Sequence, residues 1–186
     1  MKGRIFFCLL LIPFFLLPLS AQEEAAGSGG SPSPLSRGFR EVTLGLSLEE
    51  TKTKLLEDPW FLFRGDPDVS LLASPNESLI DCPGASYISR ALFQFDEKTL
   101  YTISLVLDEQ RVDYYSLFTS LRDKYGEFQS LSPQMVVWDD GVTRISLERP
   151  LTVKYIDREI FDRKRMEARR GANLDDLSRQ EFLKMF

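Results

Sequence analysis

The sequence predicts an α+β protein: a two-layer sandwich in which helices cover one face of an antiparallel sheet, followed by a helical C-terminal tail. Two segments begin with a helix-capping residue and repeat apolar side chains at helical spacing. Other segments alternate apolar and polar residues and are joined by tight turns, as β-hairpins are. The last stretch, 158–186, follows the final predicted strand and has the composition of a helix.

The chain opens with the three parts of a secretory signal peptide. Two basic residues precede an apolar run from Ile5 to Leu19, and Ser20-Ala21 supplies small residues for cleavage. The alternative is a transmembrane anchor, which needs about 20 apolar residues and would be weakened by the two prolines of this run. We expect cleavage near Ala21 and a mature protein that is soluble and lies in the periplasm or is secreted.

The mature chain divides by composition into three parts. Residues 22–38 are rich in glycine, serine and proline and bury too little apolar surface to order themselves, so they are predicted to be a disordered tether. Residues 39–157 have the size and apolar content of one α+β domain. Residues 158–186 form the helical tail.

The first helix is marked by a capping box. Ser47 can cap it and Glu50, three positions later, can reach back, while Pro59 ends the helix near Asp58. The aromatic run Trp60–Phe63 is predicted as a strand. Shorter extended pieces are expected at Val69–Leu72 and Ser78–Asp81.

The clearest hairpin joins Tyr87–Phe95 to Leu100–Leu107. A period of two on its second strand assigns side chains to opposite faces. One face should carry Tyr101, Ile103, Leu105 and Leu107, and the other Thr102 and Ser104.

A second helix is expected to begin at Asp113 and to end at Tyr125-Gly126, where glycine can adopt a left-handed conformation. A hairpin of Met135–Trp138 and Val142–Glu148 follows, closed by an Asp-Gly turn. Leu151–Ile156 adds a further strand.

These elements suggest two helix-then-antiparallel-sheet units. The segment Phe95–Leu105 is similar in pattern to Trp138–Leu147, and on this alignment the first unit carries an insertion between Arg64 and Tyr87. Chance similarity is the alternative explanation, because hairpins share turn chemistry.

The segment Gly45–Glu50, placed before a short helix and an aromatic strand, resembles the opening of the small envelope proteins of the BamE/SmpA group and of the β-lactamase inhibitory proteins. Lys124-Tyr125-Gly126 and Val137-Trp138 fit a second copy of the same module. The resemblance covers about residues 40–156, and it implies a two-layer fold that binds other proteins rather than catalysing a reaction. The chain lacks the lipidation cysteine of a bacterial lipoprotein.

The composition excludes several kinds of chemistry. The chain has no histidine, which removes Ser-His-Asp and Cys-His catalysis and the usual imidazole metal sites. Adjacent acids at Asp96-Glu97, Asp139-Asp140 and Asp175-Asp176 fall at turns or near a helix start, where acids are favoured for backbone reasons. We expect no enzyme activity, no metal and no cofactor.

The charge and the cysteines limit the partners. Removal of the signal peptide lowers the net charge from −5 to −7, which argues against nucleic-acid binding. Cys8 would leave with the signal peptide, so Cys82 can form no disulfide within the mature chain and is expected to be buried.

The tail is the candidate binding segment. Between Arg158 and Arg170 it holds six basic and three acidic residues. Gly171-Ala172-Asn173 is expected to break the helix, and Ser178 and Glu181 to cap a second one. The alternatives are a solvated helix with a packed terminal turn, and a docking element for a protein or an anionic membrane surface. The candidate binding residues are Arg163, Lys164, Arg165, Arg169, Arg170, Phe182, Leu183 and Phe186.

Three functions remain open on the sequence. The favoured one is a non-catalytic exported protein that binds another envelope protein as an assembly factor, adaptor or structural subunit. The others are a carrier that holds a small apolar ligand between sheet and helices, and a glycan-acting enzyme that uses carboxylates alone. The sequence does not fix the oligomeric state.

Overall fold

The computed structural model describes residues 34–72 and 77–185, all of which belong to one compact unit, Pro32–Phe186. The predicted signal peptide and most of the predicted tether lie outside the described residues. The α+β class is confirmed, with helices α1 Leu48–Glu57, α2 Tyr114–Tyr125 and α3 Arg158–Leu183 and a short 3-10 helix at Asp66–Asp68. The strands are β1 Gly38–Phe39, β2 Val42–Thr43, β3 Val69–Leu71, β4 Glu77–Pro83, β5 Ile88–Asp96, β6 Thr99–Leu107, β7 Ser130–Leu131, β8 Met135–Asp139, β9 Thr143–Glu148 and β10 Thr152–Asp157.

Eight of the strands form one antiparallel sheet in the order β3-β4-β5-β6-β10-β9-β8-β7, while β1 and β2 pair separately. The order shows two meanders of four strands joined through their last strands, β6 and β10. A helix precedes each meander, α1 the first and α2 the second. The chain is therefore built from two helix-then-sheet units, as the sequence suggests.

The predicted alignment of the two units is wrong by one hairpin. By order within each meander, β5–β6 corresponds to β9–β10, whereas the sequence pattern equated it with β8–β9. The predicted insertion between Arg64 and Tyr87 contains β3 and β4, which correspond to β7 and β8. Turn residues such as Asp-Glu and Asp-Asp mark a hairpin but do not say which hairpin of a meander they close.

Helices α1 and α2 cover one face of the sheet, which we call the core face. Ser47 and Glu50 form the predicted capping box, with the Ser47 hydroxyl accepting from the Glu50 amide at 3.2 Å and the Glu50 carboxylate accepting from the Ser47 amide at 2.9 Å. Asp113 caps α2, and Gly126 ends it with a φ of 78°. The core contains Leu55 and Leu121 from the helices and the fully buried strand residues Phe93, Ile103, Leu105, Trp138, Ile145 and Leu147.

The run Trp60–Phe63 is not a strand, contrary to the prediction. Phe61 makes a single bridge to Gly84, and its amide donates to the Asp58 carbonyl at 3.1 Å. Phe61 and Phe63 are buried in the core, while Trp60 stacks on Tyr87. The segment leaves α1 through a turn, and its pairing beside the end of β4 is limited to this bridge and the backbone bonds that Leu62 and Trp60 make on either side of it.

A β-bulge moves Tyr101 to the face opposite the predicted one. The register pairs Gln94 with Thr102 and Phe95 with Leu100, so Tyr101 is an extra residue on β6. Leu100 then takes the core position, and Tyr101 lies on the same face as Thr102 and Ser104. A strict period of two could not reveal this change of face.

Residues 34–38, which precede the predicted domain boundary at residue 39, contact the rest of the domain. Leu35 is buried in the core, and its amide donates to the Asp140 carboxylate at 2.8 Å. Arg37 donates to the Asp157 carboxylate at 2.6 Å. Residues 34–38 are therefore part of the fold, because they bring a buried leucine and an ion pair that composition alone does not weigh.

Helix α3 is continuous over its 26 residues, so the predicted break at Gly171-Ala172-Asn173 is wrong. A single glycine in a helix costs only about 1 kcal/mol, and the alanine, arginine, leucine and glutamine around it are good helix formers. Ser178 and Glu181 lie within the helix and start no second one. None of the helices in the described residues is both long and apolar enough to cross a membrane.

Candidate functional site

Acidic residues from three strands lie at one end of the sheet, where α3 begins. Asp96 ends β5, Asp139 ends β8 and Glu77 starts β4. Because neighbouring strands are antiparallel, the end of one and the start of the next share an edge of the sheet. The three carboxylates therefore face the first turns of α3, which leaves β10 at the same end.

Basic residues of α3 pair with these carboxylates. Arg158 pairs with Asp139 and also with Asp162, the latter at 2.8 Å. Lys164 pairs with Glu77, and with Asp96 at 3.1 Å. Arg163 donates to the second oxygen of Asp96. We call this set the anchor cluster: Glu77, Asp96, Asp139, Arg158, Asp162, Arg163 and Lys164.

The centre of the anchor cluster, where Asp96 meets Lys164, is largely protected from water. The Asp96 side chain is 12% exposed and the Lys164 side chain 21%. Burial disfavours the Asp96 carboxylate, but the hydrogen bonds from Lys164 and Arg163 outweigh it and hold the pKa of Asp96 below its usual value. Burial likewise opposes the charge of Lys164, and its bonds to Glu77 and Asp96 raise its pKa nonetheless. These charges therefore hold the base of α3 to the sheet.

The second part of α3 leaves the domain. From Arg165 to Met185 every side chain that the structure describes is exposed. The predicted binding residues therefore separate into two groups: Arg163 and Lys164 belong to the anchor cluster, whereas Arg165, Arg169, Arg170, Phe182 and Leu183 lie on the exposed part. Phe186 lies outside the described residues.

Two apolar residues of this exposed part are not among the binding residues predicted from the sequence. Leu174 is 63% exposed and Leu177 58%, one turn apart on the same side of α3. Their spacing is typical of a helix. Both leucines follow Gly171, however, where the sequence predicts that the helix is broken. We call residues 168–185, which include the last turns of α3 and the two residues after it, the projecting segment.

The charges of α3 also divide along its length. Arg165, Arg169 and Arg170 have no ion pair with any residue in the described ranges 34–72 and 77–185. Nearer the C-terminus, charges pair within the helix, Arg179 with Asp176 and Lys184 with Glu181. The three arginines are therefore available to an external acidic group.

The acidic pairs considered as possible catalysts have other contacts. Asp96 and Asp139 belong to the anchor cluster, and Asp140 accepts the amides of Leu35 and Thr143. Asp176 pairs with Arg179 on the exposed helix. Within the described part of the chain, no three carboxylate or thiol groups are grouped as metal ligands would be.

Cys82 lies in the core, as expected from the sequence. Burial raises the pKa of its thiol to about 12, and the negative charges of Asp68 and Asp81 add to this effect. The thiolate, which is the reactive form of cysteine, is therefore disfavoured at neutral pH.

The face of the sheet opposite the core carries a groove, and we call this side the open face. Its cavity of about 400 Å³ lies over β5, β6 and β10, with Phe161 of α3 at one end. The floor combines hydroxyl, amide and apolar side chains. Its position differs from that required by the carrier hypothesis, which places a ligand between the sheet and the helices.

Comparison with known protein families gives one match. The model of the TP0088 domain matches residues 37–167, from the arginine that pairs with Asp157 to the end of the anchored part of α3. No curated protein and no solved structure matches the chain. Since the family model covers well over half of the sequence, the chain belongs to the TP0088 domain family.

Proposed function

We propose that this protein is a non-catalytic binding protein of the cell envelope, and that it docks another envelope protein through the projecting segment of α3. The observation that carries the proposal is the division of one helix into an anchored base and an exposed part. The base is held by the anchor cluster, whereas the described side chains from Arg165 onward contact water.

The anchor fixes the direction in which the helix leaves the domain. Its ion pairs connect α3 to β4, β5 and β8, so both meanders hold the helix. A helix that is fixed at one end loses less conformational entropy when its other end binds than a free peptide does. The domain therefore serves as a rigid support for the projecting segment.

The surface of the projecting segment suits a protein with an acidic, partly apolar face. Leu174 and Leu177 offer apolar area one turn apart, and exposed apolar side chains on a helix are typical anchors for a groove. Arg169 and Arg170 lie one turn before Leu174 and would steer the segment toward acidic groups. The remainder of the mature chain is acidic, so such a partner would not be attracted to the domain itself.

Two further points support binding over catalysis. The acids that could have acted as general acid and base hold structural contacts in the anchor cluster and in the β8–β9 turn. The pattern-level resemblance to the BamE/SmpA group and the β-lactamase inhibitory proteins also favours a binding domain. We also propose that the protein is exported and that its signal peptide is cleaved near Ala21. The composition of residues 1–21 supports this location.

The test replaces the two leucines and compares the variant with a matched control. We expect Leu174→Asp/Leu177→Asp to reduce recovery of the partner from native envelope extract by about tenfold or more, because apolar anchors contribute about 2 kcal/mol or more each. The control, Leu56→Asp/Leu62→Asp, changes two leucines of similar exposure elsewhere on the domain. It should leave recovery unchanged, and both variants should keep the melting temperature of the wild type.

Equal recovery with both variants would contradict the proposal. Vesicles of anionic lipid provide the second arm of the experiment, because arginines beside leucines also occur in helices that lie on membranes. If the wild type binds these vesicles and Leu174→Asp/Leu177→Asp does not, while protein recovery stays unchanged, the projecting segment contacts lipid and the protein-docking proposal fails.

A further inference from the structure

The groove on the open face has a regular floor. Cross-strand pairing through β5, β6, β10 and β9 places its side chains in three rows. In order across the sheet, the rows are Gln94-Thr102-Ile156, Leu92-Ser104-Lys154 and Arg90-Val106-Thr152-Glu148. Each row therefore combines polar side chains with at least one apolar side chain.

Thr102 and Ser104 of this floor carry hydroxyl groups that bond to no group in the described residues. Thr102 is 6% exposed and Ser104 7%, and both line the cavity. Neither side chain forms a hydrogen bond with any group in the described residues, and the same holds for the amide of Gln94. The two hydroxyl oxygens are not among the fully buried unpaired atoms, so they open onto the groove rather than into the core. Because the fold does not use them, they are free to exchange bonds to water for bonds to a ligand in the groove.

The charges of the groove neutralise each other. Lys154 donates to one oxygen of Glu148 at 2.5 Å, and the Ser146 hydroxyl donates to the other at 3.0 Å. Arg90, at the rim of the floor, pairs with Asp81. A ligand with a net charge would have to break one of these pairs, so the groove favours a neutral ligand that both donates and accepts hydrogen bonds.

Apolar surface completes the site. Tyr101, which the β-bulge turns to this face, and Phe161 of α3 lie at one end, and Leu92 and Val106 contribute to the floor. An extended peptide is a poor fit, because the backbone groups of these central strands are already used by the ladder and only side chains face the groove. Pyranose rings carry neutral hydroxyls around their edge and C–H groups on their faces, which suits a floor that combines hydroxyl and amide groups with apolar side chains.

We propose that the open-face groove binds a neutral saccharide, with Thr102, Ser104 and Gln94 as hydrogen-bonding residues and Tyr101 and Phe161 as apolar contacts. The cavity volume of about 400 Å³ lies within the range of small-ligand sites. This proposal is independent of docking by the projecting segment, since it rests on β5, β6 and β10 and on the base of α3.

The test is calorimetric titration of the full mature chain with neutral hexoses, N-acetylhexosamines and their short oligomers. We expect wild-type protein to bind at least one of them at millimolar concentration. Thr102→Val/Ser104→Ala should weaken that affinity by about tenfold or more, while Thr53→Val/Ser120→Ala, which removes hydroxyls bonded within α1 and α2, should not.

The melting temperature of the unliganded variant gives a second readout. Because the Thr102 and Ser104 hydroxyls have no partner in the fold, their removal should not lower it. A lower melting temperature would show that the hydroxyls serve the fold, and absence of saccharide binding by the wild type would overturn the proposal. A preference for acidic sugars over neutral ones would also overturn it. Leu174→Asp/Leu177→Asp should retain saccharide binding, which separates this test from that of docking.

Discussion

Replacement of Trp138 by alanine is expected to cause the largest loss of stability of any single change considered, roughly 3–5 kcal/mol in the free energy of unfolding. The indole is fully buried and contacts the rings of Phe118, Tyr125 and Phe128. Its Nε1 donates to the Gly126 carbonyl at 2.9 Å, at the point where α2 ends. The substitution would therefore remove the centre of the second unit's core and a contact between α2 and β8. Urea unfolding followed by circular dichroism measures the effect.

Leu131→Ala is the control for this measurement. Leu131 lies on β7, next to β8 in the same sheet, but its side chain is exposed. We expect its change in unfolding free energy to stay within about 0.5 kcal/mol. A loss below about 1 kcal/mol for Trp138→Ala would show that the second unit's core is not centred on this residue.

Truncation after Asp157 should have the second-largest effect, about 2–4 kcal/mol, because it removes every basic residue of the anchor cluster. Hydrogen bonds to charged groups contribute roughly 1.5–3 kcal/mol each, and water reaching the carboxylates offsets part of the loss. For a domain of this size the melting temperature should fall by roughly 5–15 °C. Differential scanning calorimetry at neutral pH measures it.

Truncation after Ala168 is the matched comparison. It keeps the anchor cluster, and every described side chain that it removes is exposed, so the melting temperature should match that of the full chain within a few degrees. The sequence predicts that the domain ends at residue 157, whereas the ion pairs of Arg158, Arg163 and Lys164 attach the first turns of α3 to it. If both truncations melt alike, the anchor cluster contributes nothing to the domain.

Local sequence signals predicted much of the fold. The capping box at Ser47 and Glu50, the Asp113 cap and Gly126 each set a helix boundary that the structure confirms. These signals work because the residues that cap a helix are its immediate neighbours in the chain. The period of two in β6 and the Asp-Gly turn at Gly141 predicted the hairpins for the same reason.

The errors concern information that is not local. The bulge at Tyr101 depends on the register between β5 and β6, and the alignment of the two units depends on the order of eight strands. The core position of Leu35 depends on a contact with a residue more than a hundred positions away. None of these follows from propensity or periodicity within a short window.

The residues of the candidate sites could also be predicted only in part from the sequence. The basic residues of α3 stood out in the sequence, but only the structure shows that Arg163 and Lys164 bind Asp96 while Arg169 and Arg170 do not. Thr102 and Ser104 were assigned to the polar face of β6, yet their burial without partners depends on β5 and β10. Charge and polarity can be read from a sequence, whereas pairing and burial require the fold.

Hydrogen exchange along α3 in the isolated protein tests the central claim most directly, namely that one helix has an anchored base and a projecting segment. Amides at 162–167 should be protected to nearly the level of the sheet, because the anchor cluster holds these turns. Amides at 171–181 should exchange much faster, because the described side chains of these turns are exposed and a helix with few tertiary contacts is only marginally stable in water. The rates should not depend on protein concentration. Equal protection along the whole of α3 would contradict the claim, because it would show that residues 171–181 are held by the protein itself and are not presented for docking.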